Sequence, residues 1–482
     1  MDLFRNRFFL LSILSSMIVI VSAIILEKFW LLALPIALML FYIAVKQPSF
    51  FGILLVISVA FSFPLSDIVQ DLSFDIFLIS EILIIALLFL LIVQLIYTKK
   101  IDNEFIKHPV TIAIMIYLSW TLVTSLSSTM ILVSLKHFAT RFWFITAFYY
   151  FFYHLYAQKS DRITNLIITF SISTLLVIFY AIGREYYYNM EIKKIAYWAA
   201  NPFYKDHTSY GATLAIYLPF LVGFSFNKSI SKNKRFILKI ITFIFIVGIV
   251  LSYTRAAWAS LLGAAVIYLI IRLKIKPYIY ITAILLLAIA IQGSIFSIVK
   301  QNKQESSIEL SEHFKSISNI TNDMSNLERI NRWKCAYKMF EEKPFLGFGP
   351  GTYTFNYAPY QMYSDKTPIS TNAGDMGNAH SEYLGALAES GIFGLITFLA
   401  IIILTSIKAI KLYYRLTDKK MKLWVICAFI GLVSYYLHGL VNNFLDTDKI
   451  SLPFWSFLAI IVYVDIQSKR VNNPNLETLK QE

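Results

Sequence analysis

Apolar runs long enough to cross a bilayer recur about fourteen times along this chain, counting ~20 residues per crossing. Their approximate cores are 8–26, 29–45, 50–65, 76–97, 110–126, 141–156, 163–183, 209–226, 236–252, 257–271, 278–298, 391–407, 422–441 and 451–466. Residues 29–45 and 50–65 are short, so tilted or partly re-entrant segments would bring the count to about twelve. The fold expected is all-α: a polytopic membrane protein of about 12–14 transmembrane helices with one long extracytoplasmic loop containing short helices. Composition agrees, with 57% hydrophobic, 16% aromatic and only 15% charged residues and a mean hydropathy of +0.63, far from a soluble domain's balance. The first run follows Arg5 and Arg7 as a signal peptide would, but no small-residue cleavage site is evident and a second run follows at once. It reads as a retained helix. Two cysteines, Cys335 and Cys427, build neither a disulfide framework nor a cysteine metal site.

Lysine and arginine set the orientation. Lys99, Lys100 and Lys107 share one connection, and Lys228, Lys232, Lys234 and Arg235 a second. Arg272, Lys274 and Lys276 share a third, and Lys408, Lys411, Arg415, Lys419, Lys420 and Lys422 a fourth. With fourteen spans all four fall on the side of both termini, which is then the cytoplasm. The connection 66–75 on the other side has Asp67, Asp71 and Asp75 and no basic residue. Residues 299–390 hold nine Lys/Arg against eleven Asp/Glu. The net charge of +14 is therefore a topology signal and not a nucleic-acid footprint. The organisation expected is membrane helices over 1–298, an extracytoplasmic loop over 299–390, further membrane helices over 391–466 and a cytoplasmic tail over 467–482.

The loop of roughly ninety residues is several times an ordinary connection in length. Residues 299–323 are polar, rich in Ser, Gln, Asn and Glu. Ser325-Asn326-Leu327-Glu328 then reads as a capping box. Leu327, Ile330, Tyr337 and Phe340 follow near helical spacing, and Lys343-Pro344 stops the helix. Gly347, Gly349, Pro350 and Gly351 form a turn segment.

Cations gather on one membrane face. Arg141 opens one span and Arg184 closes the next, both on the outer side, and Arg255 lies in the tight turn Ser252-Tyr253-Thr254-Arg255-Ala256-Ala257-Trp258. Arg329 and Arg332 belong to the helix of the loop. A guanidinium wedged between spans is costly without a partner or a wet cavity, which marks a functional site. Snorkelling to headgroup phosphates is the competing reading, strongest for Arg141 and Arg184. His380 sits in Asn378-Ala379-His380-Ser381-Glu382-Tyr383-Leu384, at the mouth of a helix beside a span. Asn378 or His380 is expected to cap that helix, whose N-terminus disfavours an imidazolium and keeps a neutral proton acceptor. A lone loop histidine is otherwise most often structural. Glu382 and Glu389 share a helix face, as a carboxylate pair or as solvated side chains. Asp446-Thr447-Asp448 has the look of a metal-binding Asp-x-Asp, although short acidic turns arise often by chance.

Taken together, the residues resemble the O-antigen ligase and O-antigen polymerase superfamily of bacterial polytopic membrane glycosyltransferases. The resemblance is carried by Tyr253-Thr254-Arg255-Ala256-Ala257-Trp258, by Arg329 four residues before Trp333, and by Pro344-Phe345-Leu346-Gly347-Phe348-Gly349-Pro350-Gly351. Its strongest piece is His380 followed by Tyr383-Leu384, Glu389, Gly391 and Gly394. His438-Gly439-Leu440, Asn443-Phe444 and Trp455 are similar to the closing segment. Ser381 stands where many members have Asn. The resemblance implies metal-independent, inverting transfer of a glycan from undecaprenyl diphosphate to an acceptor hydroxyl, on lipid A-core or a growing polysaccharide, with no cofactor. It implies the outer face of the bacterial inner membrane, with the long loop periplasmic. His380 would activate the acceptor, and Arg255 and Arg329, with Arg141 and Arg184, would hold the diphosphate. Arg332, Asn378 and Glu389 would support them. Ligase and polymerase share these parts and differ in the acceptor. A transporter, the reading from another class, needs ionisable residues along mid-membrane faces; the spans have only scattered ones such as Glu81.

Overall fold

A computed structural model describes residues 46–64, 79–98, 102–188, 195–275, 324–363, 366, 370 and 377–472 of the chain. The expected spans 8–26, 29–45 and 278–298 lie outside these residues, as does the polar stretch 299–323. Among the described residues there are helices and no strands. We number the principal helices α1 (Pro48–Phe61), α2 (Ser80–Thr98), α3 (Pro109–Leu126), α4 (Ile131–Ile145), α5 (Asp161–Tyr188), α6 (His207–Phe226), α7 (Lys232–Leu251) and α8 (Arg255–Arg272). They continue as α9 (Met324–Glu342), α10 (Glu382–Arg415), α11 (Lys419–His438) and α12 (Asp448–Asn472). A π-helical turn, Thr146–Phe151, carries α4 on into Phe152–Gln158 without a break. Seven of the described helices are long and apolar enough to cross a membrane: α3, α5, α6, α8, α10, α11 and α12. The all-α membrane fold read from hydropathy is the fold observed.

Packing order follows from which helices are apolar all round. In α12, Phe454, Trp455, Phe457 and Leu458 are fully enclosed, and α6 and α11 are buried over most of their length. Outer helices keep one apolar face open: Phe236 and Phe243 of α7, and Leu262 and Val266 of α8, are exposed. Lipid is as apolar as these side chains, so such faces carry no penalty in a bilayer.

Polar residues mark two ends of the bundle. At one end the buried Asp465 of α12 is surrounded by His108 at 3.2 Å, Lys408 at 3.3 Å, Arg415 at 3.0 Å and Lys469 at 3.0 Å. His108 also caps α3, its Nδ1 accepting from the Val110 N–H at 3.3 Å, so its Nε2–H donates to Asp465. At the other end the buried Asp448 accepts from the Ser62 and Ser80 hydroxyls, while Lys449 donates to the Ser62 carbonyl at 2.8 Å and to that of Val59. This second end joins α1, α2 and α12, and it is the end at which the candidate site lies.

Candidate active site at one end of the bundle

The site is assembled on a kink. Glu382–Arg415 is one helix broken at Gly391, whose φ of 67° and ψ of −169° are not helical. The Pro344–Gly351 segment crosses the break. Ile392 N–H donates to Pro344 O at 2.9 Å, Phe348 N–H to Ala388 O at 3.2 Å and Gly349 N–H to Glu389 O at 2.8 Å. These bonds serve groups that an unbroken helix would pair within itself. A Cβ on Gly391 would lie 2.1 Å from Phe345 O, which only glycine avoids. Glu389 completes the joint by accepting from the Tyr353 N–H at 2.9 Å.

His380 sits just before this helix with a φ of 47°. Its backbone is held from both sides: its N–H donates to Asn378 Oδ1 at 3.0 Å, and its carbonyl accepts from Trp333 Nε1 at 3.2 Å. Neither Asn378 nor His380 is the cap. Ser381 is, its hydroxyl accepting from the Leu384 N–H at 3.3 Å. Asn378 instead shapes the turn that aims the imidazole. Burial lowers the pKa of His380 most, the charges of Arg329 and Arg332 lower it further, and Glu328 and Asp206 oppose them only in part. The result is about 4, an imidazole held neutral at physiological pH.

α9 brings in the cations, though not with the face that hydropathy suggests. Its inward stripe is Glu328, Asn331, Arg332, Cys335, Ala336 and Met339, while Tyr337 is exposed. The expected apolar stripe Leu327, Ile330, Tyr337 and Phe340 is therefore rotated outward. Ion pairing explains this. Arg332 Nε donates to Glu328 at 2.6 Å and its guanidinium lies 3.9 Å over the Tyr357 ring, an arrangement that needs shelter from water to be strong. The capping-box reading also changes. The helix is already under way at Met324, and Glu328 serves Arg332 and the Ser370 hydroxyl.

Charges from three elements meet around imidazoles at this end. Arg329 acts on His380, on His207 at the start of α6 and on His438 at the end of α11. Arg255, the first residue of α8, also acts on His207. Arg141 and Arg184 are engaged elsewhere. Arg141 pairs with Asp446 and donates to Leu445 O at 3.3 Å. Arg184 stacks 4.6 Å over Trp198 and donates to Asn201 O. His207 and Asp206 lie at the candidate site and were not singled out by sequence reasoning, and Trp333 was noted only for its spacing from Arg329. The only signal for the first two was an Asp-His pair ahead of an apolar run, which reads equally well as an ordinary helix start.

A cavity of about 50 Å3 opens on the opposite side of the 381–390 segment, lined by Glu382, Glu389, Asp446, His137, Arg141 and Asn443 among others. At roughly 10–15 Å3 per probe-sized site it holds a few waters. Glu382 is held by hydrogen bonds within the fold rather than solvated. It accepts from Tyr435 and from the Phe444 and Leu445 N–H groups, both at 2.9 Å, and so ties the 439–446 connection under the helix. Asp446 and Asp448 point apart, the first to His137 and Arg141, the second to Ser62 and Ser80. Burial pushes the Asp446 carboxyl up, and His137 and Arg141 outweigh that to hold it well below the usual carboxylate range. Among the described residues no group of three or more His, Cys, Asp or Glu side chains is placed to hold a metal ion.

Residues 240–399 match the family described as O-antigen ligase. The matched stretch runs from within α7 into α10 and so includes Arg255, Arg329, Arg332, Asn378, His380 and Glu389. No curated protein matches the chain.

Proposed function

We propose that this chain, a bacterial membrane protein of the O-antigen ligase superfamily, transfers a glycan from a polyprenyl diphosphate to a sugar hydroxyl. The family implies ligase- or polymerase-type chemistry on lipid-linked glycans. We take the ligase form, with undecaprenyl diphosphate as carrier and lipid A-core or a similar sugar as acceptor, on the outer face of the inner membrane. The observation that carries the reading is His380, its backbone fixed by Asn378 and Trp333 and its imidazole kept neutral by burial and the field of Arg329.

In this reading the acceptor hydroxyl gives its proton to the His380 imidazole as its oxygen attacks the anomeric carbon. The bond from that carbon to the diphosphate oxygen breaks, the configuration inverts, and the charge that develops on the leaving diphosphate falls to Arg255 and Arg329. Guanidinium forks match diphosphate oxygens two bonds at a time and act without a metal. Bound diphosphate also offsets part of the arginine field on His380, raising its basicity while burial still holds it below the ordinary value. Arg332, fixed by Glu328 and Tyr357, supports Arg329 from the same helix and does not itself need to reach the donor.

The test is transfer in vitro from a purified polyprenyl-diphosphate glycan with EDTA present. Wild type is expected to remain fully active. His380→Ala is expected to lose about 10²–10⁴-fold, the range of general-base catalysis. Full activity of that variant dismisses the base, and loss of wild-type activity in EDTA dismisses metal independence. A deletion strain separates the acceptors. Polymer left on the lipid carrier with none on core sugar marks a ligase, and a single repeat on core sugar marks a polymerase.

A further inference from the structure

The reaction just described uses one imidazole and leaves a second unassigned. His207 is the first residue of α6 and Arg255 the first of α8, and the two helix starts are stitched together. The Thr254 hydroxyl donates to the His207 carbonyl at 2.8 Å, and a Cβ on Gly211 one turn further would lie 2.8 Å from Thr254 Cβ. The His207 ring stands edge-on to Tyr197, with centroids 4.4 Å apart. Its Nδ1 is buried and has no hydrogen-bond partner among the described residues. A buried polar atom left in that state costs free energy unless a ligand supplies the partner. Both guanidiniums assigned to the diphosphate, Arg255 and Arg329, act on this ring. The neighbouring carboxylate is already committed: Asp206 caps α6, accepting from the Thr208 and Ser209 N–H groups at 2.8 Å each.

We infer that His207 is a diphosphate-binding residue, its imidazole N–H donating to a non-bridging oxygen of the donor between Arg255 and Arg329. The inference rests on the glycan-transfer reading above and adds a specificity element to it. A neutral imidazole contributes a directed donor without a third full charge. Under the charge of both cations, it would favour an anion long enough to bridge them, a diphosphate over a monophosphate. A purely structural His207 would need only its ring against Tyr197, which phenylalanine also provides.

The test is binding of a short-chain polyprenyl diphosphate, and of the monophosphate of the same chain, to the full-length protein in detergent. Wild type is expected to prefer the diphosphate. His207→Phe is expected to weaken diphosphate binding about 10–100-fold, the usual loss for a hydrogen bond to a charged group, with the monophosphate moved less than about threefold. His207→Asn, which keeps a side-chain N–H, is expected to retain most of the preference. If His207→Phe binds the diphosphate as wild type does while Arg255→Ala and Arg329→Ala lose it, the His207 role is wrong and the site reading stands. If wild type and both arginine variants bind the two lipids alike, the site reading fails and this inference falls with it. Should His207→Phe not fold, His207→Ala decides: diphosphate binding weakened about 10–100-fold with the monophosphate little changed supports the role, and wild-type diphosphate binding overturns it.

Discussion

In the proposed mechanism His380 is a base whose strength is set by its neighbours, which makes its expected pH behaviour specific. Its pKa of about 4 lies below the ordinary imidazole value, with burial the first cause and Arg329 and Arg332 the next. The free enzyme's value governs kcat/KM, and that of the substrate complex governs kcat. The base works unprotonated, so kcat/KM should hold from neutral pH down to about 5 and fall through about 4. Bound diphosphate cancels part of the arginine field, so the acid limb of kcat should lie at higher pH than that of kcat/KM. Initial rates across pH 3.5–8 check this; the two limbs in the reverse order would count against a base held down by the donor's own binding cations. Stability follows the same sign. A folded pKa below the unfolded one means the unfolded chain binds more protons between about 4 and 6.5, so this group's contribution is lost as pH falls through that window.

Elements here are joined by backbone contacts that few side chains could replace. The kink in α10 exists because Gly391 takes a left-handed φ and lets the Phe345 carbonyl approach closely. Gly391→Ala should therefore destabilise the protein by at least about 1–3 kcal/mol, the cost of a strained backbone site, and lower transfer with it by shifting the turn before His380. Gly183 within α5 is the matched control: a Cβ there meets nothing within 4 Å, so Gly183→Ala should be neutral or mildly stabilising. Thermal unfolding of both variants in detergent separates them, and equal behaviour would mean that the kink is not needed.

Across the whole molecule, acidic and basic clusters separate into two ends, with Asp465 and its cations at one and the candidate site at the other. In the orientation proposed from lysines and arginines, the site faces away from the cytoplasm. Cys335 cannot report on this, because it is fully buried in α9 beside Asn331. Tyr363 is 92% exposed, so Tyr363→Cys should react with an impermeant thiol reagent on intact spheroplasts. Labelling only after permeabilisation would invert the topology and remove the site from the side where it is proposed to work.

Hydropathy is a property of contiguous residues, and what depends on contiguity was legible. The described apolar runs are helices, Lys343-Pro344 ends α9, and a histidine stands at a helix mouth. Ion pairing is a property of the folded chain and was not legible. Arg141 looked like an outward cation, yet its partner Asp446 lies 305 positions away. Asp446 and Asp448 look like one metal motif and diverge because α12 begins between them and turns their side chains to different helices. The inward face of α9 was misjudged for the same reason: Glu328 and Arg332 neutralise each other and can be buried, which no count of apolar residues anticipates. Class, approximate spans and the histidine at the mouth of α10 were thus in the sequence alone. How each charge is partnered was decided only in the tertiary structure, because that depends on what faces it across the bundle.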